Sequence, residues 1–156
     1  MFLIDFIGYF GPFILILINI VNTNIYFFYL ILFGNILNSF LNKILKNYFK
    51  IERQKQKTFM GNIEKSYAMP SGHSQVSTFN STLLILIYKN IYLTLFSIIL
   101  CVNTFYQRYN YRNHTLAQII IGALIGIIFA LLSYNIYIKI FIKKKLKKKK
   151  NNLNNK

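Results

Sequence analysis

Residues 114–142 read HTLAQIIIGALIGIIFALLSYNIYIKIFI, the longest apolar run in the chain. A run of this length predicts a helix that crosses a bilayer, since about 20 apolar residues span the hydrocarbon core. Gly122 and Gly126 stand four apart on one helix face. Small residues at that spacing let two helices approach closely. Packing within the chain is the expected use, and a dimer face is the alternative.

Working outward, four more apolar segments occupy residues 2–21, 25–45, 71–88 and 91–106. Apolar residues make up 54% of the 156 residues and come in runs rather than stripes, so the solvent for most of the chain is lipid or other helices. The expected fold is all-α: one polytopic membrane bundle of about five transmembrane helices over residues 1–142. Residues 143–156 then form a Lys/Asn-rich cytoplasmic tail expected to be disordered. The first residues lack a basic region and a small-residue cleavage site, which predicts a retained span rather than a signal peptide. The segment at 71–88 is short and carries Ser74, Gln75, Ser77, Thr78, Asn80, Ser81 and Thr82, so it is expected inside the bundle, where polar groups find partners. Gln75 and Asn80 read as interhelical hydrogen-bonders. Cys101, the single cysteine, allows no intrachain disulfide and reads as a small buried residue.

Turns at residues 22–24 and 89–90 are short, whereas residues 46–70 and 107–113 form two polar loops. Two spans separate these loops, so both lie on one side of the membrane. The net charge of +16 does not indicate nucleic acid here, because much of it sits in the Lys run at 139–156, directly after a span. Basic residues in that position mark a cytoplasmic flank and favour anionic lipid heads.

Both histidines of the chain, His73 and His114, fall beside these loops at expected helix N-termini. Such termini favour phosphate, and a histidine there can act as nucleophile or proton donor. Pro70-Ser71-Gly72-His73 ends a loop, offers a serine cap and lets backbone N–H groups approach an oxyanion. Arg108 precedes His114 by six positions, and Gln118 follows it by one helical turn. Lys46 and Arg53 close the second span, at a depth where cations call for an anion. Lys46 taken alone reads equally as a snorkelling lysine; Lys43 and Lys50 read as snorkelling lysines, Arg112, Lys55 and Lys57 as a solvated or lipid-head face, and Tyr67, Tyr109 and Tyr111 as interface aromatics. Two His, one Cys and the acids Asp5, Glu52 and Glu64 do not compose a metal cluster, so no metal or cofactor is expected.

In this order the three pieces resemble the type 2 phosphatidic acid phosphatase superfamily. Its pattern is Lys, six residues and Arg-Pro; then Pro-Ser-Gly-His; then Ser-Arg, five residues, His, three residues and Asp. Lys46 and Arg53, Pro70 to His73, and Arg108 with His114 match it. Gln54, Gln107 and Gln118 stand where the family has Pro, Ser and Asp. His114-Thr115-Leu116-Ala117-Gln118 and Met69-Pro70-Ser71-Gly72-His73-Ser74-Gln75 are closest in detail to the dolichyl diphosphatase branch. The resemblance implies that Lys46, Arg53 and Arg108, with N–H groups near Ser71 and Gly72, hold a phosphate. His114 would attack phosphorus, His73 would protonate the leaving oxygen, and Gln118 would accept the His114 ring N–H. The implied substrate is a lipid phosphate, either a polyprenyl diphosphate or a phosphatidate-like monoester. The rivals are a non-catalytic protein that binds anionic lipid heads and a lipid phosphotransferase.

The two faces carry nine and ten basic residues. If three on the loop face serve phosphate, the balance favours a cytoplasmic tail and a lumenal or external site, in an endoplasmic reticulum-type membrane for a eukaryotic or viral protein.

Overall fold

The computed structural model describes residues 2–21, 25–54 and 65–154, with side chains described for residues 3–21, 25–54 and 65–140. The expected turn at 22–24, and Lys55, Lys57 and Glu64, lie outside the described residues. Five helices and no strand occur among the described residues: α1 (Phe2–Val21), α2 (Ile25–Phe49), α3 (Gly72–Tyr88), α4 (Ile91–Asn110) and α5 (Leu116–Asn154). Three have the length and apolarity to cross a membrane, over Leu3–Val21, Ile25–Phe49 and Leu116–Ile140. The helix of α5 continues beyond the apolar run to Asn154.

The short helix α3 is the axis of the bundle and touches all four others, α5 most extensively, while α1 lies chiefly on α4. Its polar residues point inward. Ser74, Gln75, Ser77, Asn80 and Ser81 are buried, whereas Phe13, Phe40, Ile99 and Leu124 on the other helices are exposed to what is read as lipid. A bilayer core cannot satisfy a polar side chain, and neighbouring helices supply partners for most of those on α3, Ser77 Oγ being a buried exception. Asn42 donates to Gln75 Oε1 at 2.7 Å, and Gln75 donates in turn to Asn38 Oδ1 at 2.7 Å. Asn35 and Asn80 exchange amide bonds at 3.1 and 2.8 Å, and Ser81 reaches Ser97 at 2.9 Å. Deeper in the bundle an apolar cluster of Phe27, Ile31, Phe79, Leu83 and Ala130 closes the space between α2, α3 and α5. Cys101 packs with Leu15 and Leu100 as a buried free thiol.

Gly122 and Gly126 are used inside the chain. A Cβ on Gly122 would lie 2.5 Å from the Ser71 carbonyl oxygen, and one on Gly126 would meet the Gln75 carbonyl and the Thr78 hydroxyl. Thr78 Oγ1 donates across this contact to the Ala123 carbonyl at 3.0 Å. Alanine in place of glycine ordinarily favours a helix by about 1 kcal/mol. Here the expected sign is reversed. Gly126→Ala should cost about 1–3 kcal/mol through overpacking against backbone, measured as a lower unfolding midpoint in detergent.

Candidate active site

The ends of α2 and α4 and the starts of α3 and α5 meet at one face of the bundle. Lys46 sits on the last turn of α2, within the helix rather than in the loop. Lys50 ends that helix in the left-handed region, with its N–H on the Lys46 carbonyl. Residues 51–54 follow without regular structure, and the Ala68 N–H donates to the Ile51 carbonyl at 2.8 Å, which holds the two stretches side by side. This pairing sets Arg53 against Ser66. Arg53 Nε donates to the Ser66 carbonyl at 2.7 Å and Nη2 to Ser66 Oγ at 3.2 Å, and Lys46 Nζ donates to the same hydroxyl at 3.0 Å.

The other end of the guanidinium faces the start of α5. Arg53 Nη1 donates to the Asn113 carbonyl at 2.8 Å and lies 3.3 Å from His114 Nε2. The position of His114 follows from its spacing to Arg108. After α4 the chain curls back so that the Asn113 and His114 N–H groups both donate to the Arg108 carbonyl, at 3.1 and 3.3 Å. Arg108 belongs to the last turn of α4, and its side chain is fully buried. Its guanidinium carbon lies 5.8 Å from the centre of the Tyr9 ring.

Ser71 caps α3 as its sequence context predicts, accepting from the Ser74 hydroxyl at 2.9 Å and the Ser74 N–H at 3.5 Å. The Ser71 N–H donates to the Gln118 carbonyl at 3.1 Å, which ties the start of α3 to the start of α5. Gly72 lies against the Asn42 amide, where an added Cβ would come 3.2 Å from Oδ1. His73, one residue on, shares the electrostatic reach of Lys46 and Arg53 with His114. The His73 ring stands 5.4 Å from the ring of Tyr9, at 46°.

Gln118 occupies a place the sequence reading did not foresee. Its Oε1 accepts from the Thr115 N–H at 3.0 Å, and its N–H donates to Thr115 Oγ1 at 3.4 Å. This reciprocal pair is a capping box for α5. The amide therefore secures the His114–Thr115 turn and does not hydrogen-bond the imidazole. His114 Nδ1 is buried with no partner at hydrogen-bond length among the described residues.

Two hollows reach the histidines. His73 forms part of a groove of about 270 Å³ with Pro12, Phe13 and Ile16 of α1, Asn35, Ser39 and Asn42 of α2, and Val76. His114 borders a hollow of about 580 Å³ with Gln54, Tyr109, Asn110, Arg112 and Thr115. Tyr9, Ser66, Asn113 and Asn42 are site neighbours that sequence reasoning missed or placed elsewhere. They lie in apolar or featureless stretches with no motif to mark them.

Burial depresses the His114 imidazole well below its ordinary value of 6.5, and the charges of Arg53, Arg108 and Lys46 add to the effect; the Ala68 backbone opposes it. Arg53 is drawn down by burial to about 10 and remains charged at neutral pH. The folded chain thus binds fewer protons at His114 than the unfolded chain once pH falls below 6.5, and that part of the stability is lost on acidification. Nitrogen NMR of the two histidines should find His114 still neutral at about pH 5, below the usual range for imidazole. Arg53→Ala should move its titration back upward.

No curated protein and no solved structure matches the chain. Residues 24–142 match the model of the PAP2 superfamily, a span that holds all three pieces of the site. A superfamily of phosphatases, joined to three apolar helices, points to a membrane phosphatase acting on lipid phosphates. The convergence of Lys46, Arg53, the Pro70–His73 turn, Arg108 and His114 on one face has its explanation in that match: the chain belongs to the PAP2 superfamily.

Proposed function

We propose that the chain is a metal-independent phosphohydrolase of lipid phosphates or diphosphates that works through a phosphohistidine at His114. The contact between Arg53 Nη1 and His114 Nε2 carries this reading. The guanidinium can only donate, so Nε2 presents a lone pair and the ring proton sits on Nδ1. A neutral imidazole is thereby aimed at the place where a cation gathers phosphate oxygens. Arg108 and Lys46 act on the same ring. Three cations offset the phosphate charge as it shifts in the transition state, and they would repel a divalent metal ion from the same place.

In the first step His114 Nε2 attacks phosphorus, the bond to the lipid oxygen breaks, and His73 gives that oxygen its proton. In the second, His73 takes a proton from water, the water oxygen attacks phosphorus, and the N–P bond breaks to release inorganic phosphate. The incoming phosphate places negative charge beside His73, which favours the protonated form needed first. The groove at His73 is walled by Pro12, Phe13, Ile16 and Val76, surroundings suited to the chain of an amphipathic leaving group. The hollow at His114 includes Gln54, Asn110, Arg112 and Thr115 in a mixed lining, polar groups suited to water and phosphate. A polyprenyl diphosphate is the first choice of substrate, on the resemblance of residues 69–75 and 114–118 to the dolichyl diphosphatase branch, and phosphatidate is the second. The charge balance supports a cytoplasmic tail and a lumenal or external site.

One observation favours the rival in which the fold binds anionic lipid heads without turnover. Among the described residues His114 Nδ1 has no acceptor at hydrogen-bond length, and the Ala68 backbone, which favours the cationic ring, is outweighed by burial and the three neighbouring cations.

The test is inorganic phosphate release by detergent-purified protein in EDTA, with polyprenyl diphosphate and phosphatidate compared. His114→Ala should lower the rate by roughly 10⁴ or more, as expected for one member of a catalytic unit, and the wild type should form an acid-labile, base-stable phosphoprotein. Absence of release from either lipid by folded protein would favour the binding reading; release only on adding an acceptor alcohol would favour a transferase. Gln118→Asp should lower activity, because the shorter side chain cannot reach back equally well to the Thr115 N–H. A rise would show instead that a carboxylate is what His114 lacks.

A further inference from the structure

We propose that Tyr9, on α1, is a positioning residue that orients His73 for proton transfer to the leaving group. This inference rests on the phosphohydrolase reading and extends the site to a helix outside the matched residues 24–142. The His73 ring makes no hydrogen bond among the described residues. Its ring contact is with Tyr9, at 5.4 Å between centroids and 46° between planes. The same tyrosine ring receives the Arg108 guanidinium at 5.8 Å. Tyr9 therefore touches both His73 and Arg108, and its ring restricts how the imidazole can turn.

The tyrosine is itself held firmly. Gly8 and Gly11 flank it and bring α1 against α4, where a Cβ on Gly8 would lie 2.7 Å from Gln107 Cβ and 2.8 Å from the Asn103 carbonyl. Tyr111 donates to Asp5 at 3.1 Å, and Asn103 donates to the Ile4 carbonyl at 3.0 Å. Phe10 packs edge-on to Tyr9 at 5.1 Å. These contacts fix the azimuth of α1 and so the plane of the tyrosine ring. A general acid needs its donor atom within hydrogen-bond reach of the leaving oxygen, and a misplacement of about 1 Å can cost about 10²-fold.

The readout that separates orientation of the acid from general structure is leaving-group dependence. An alkyl phosphate needs a proton on its departing oxygen; p-nitrophenyl phosphate departs as a stable anion. Phosphoenzyme formation should be followed with dodecyl phosphate and with p-nitrophenyl phosphate, in wild type, Tyr9→Phe, Tyr9→Leu and His114→Ala. Tyr9→Leu should slow the alkyl reaction about 10- to 100-fold and the aryl reaction several-fold less. Tyr9→Phe, which keeps the ring face, should keep the wild-type ratio of alkyl to aryl rates whatever its absolute rates. Should Tyr9→Leu fail to give folded protein, Tyr9→Met supplies the same comparison. Equal losses on both substrates, or wild-type rates in Tyr9→Leu while His114→Ala is inactive, would overturn the role of Tyr9 and leave the phosphohydrolase reading standing. A wild type inactive on both substrates would overturn both.

Discussion

Gly122 and Gly126 present no side chain toward α3, and into that space come the Ser71 and Gln75 carbonyls and the Thr78 hydroxyl. The backbones of α5 and α3 lie close enough for the Ser71 N–H to bond the Gln118 carbonyl. That single approach sets the site. It puts the start of α3, with His73, beside the start of α5, with His114 just before it. A side chain at Gly122 would push on the Ser71 carbonyl and so on the turn that caps α3. Glycine is unfavourable in a helix interior, and here the local cost is offset by a contact that no other residue permits.

Electrostatics then works on this geometry. Arg53, Arg108 and Lys46 all act on one imidazole, and Arg108 is fully buried. Gathering like charges is unfavourable until an anion joins them. On the reading proposed above such a cluster favours a multiply charged oxyanion, and its charges add to burial in holding His114 neutral. Backbone acceptors share part of the burden: the Ser66 and Asn113 carbonyls hold the Arg53 guanidinium in one orientation. A guanidinium fixed at both ends would, in the proposed function, meet an oxyanion already oriented, with little side-chain freedom left to lose on binding.

Much of this was legible because lipid imposes strong patterns. The apolar runs gave five segments, and the helices begin and end within about a turn of them, except that α5 runs on to Asn154, since few other backbones are permitted in hydrocarbon. Parity placed both polar loops on one face. The motif spacings placed Lys46, Arg53, Arg108 and His114 together, and the Arg108 carbonyl, taking the Asn113 and His114 N–H groups, shows why that spacing is needed. What the sequence could not show is which partner a side chain chooses. Gln118 lies one turn from His114, yet its oxygen goes to the nearer Thr115 N–H, because a helix start has N–H groups to satisfy. Lys46 and Arg108 look like loop residues in a polar stretch and prove to be the last turns of their helices. Tyr9 was invisible, being one aromatic residue within an apolar run.

The place of Tyr9 bears on how the bundle as a whole is built. Helix α1 contributes no motif, and the matched span begins after it. Yet Pro12, Phe13 and Ile16 wall the groove at His73, and Asn19 donates to the Asn80 carbonyl of α3 at 2.9 Å. A polar helix such as α3 cannot face lipid, so each of its sides must be covered by another helix. Helices α2, α4 and α5 cover three of those sides, and α1 covers the remaining approach, next to His73. The demand that shields α3 from lipid is thus what brings an aromatic side chain of α1 up to His73. Burial of the axis and completion of the site are met by the same contact.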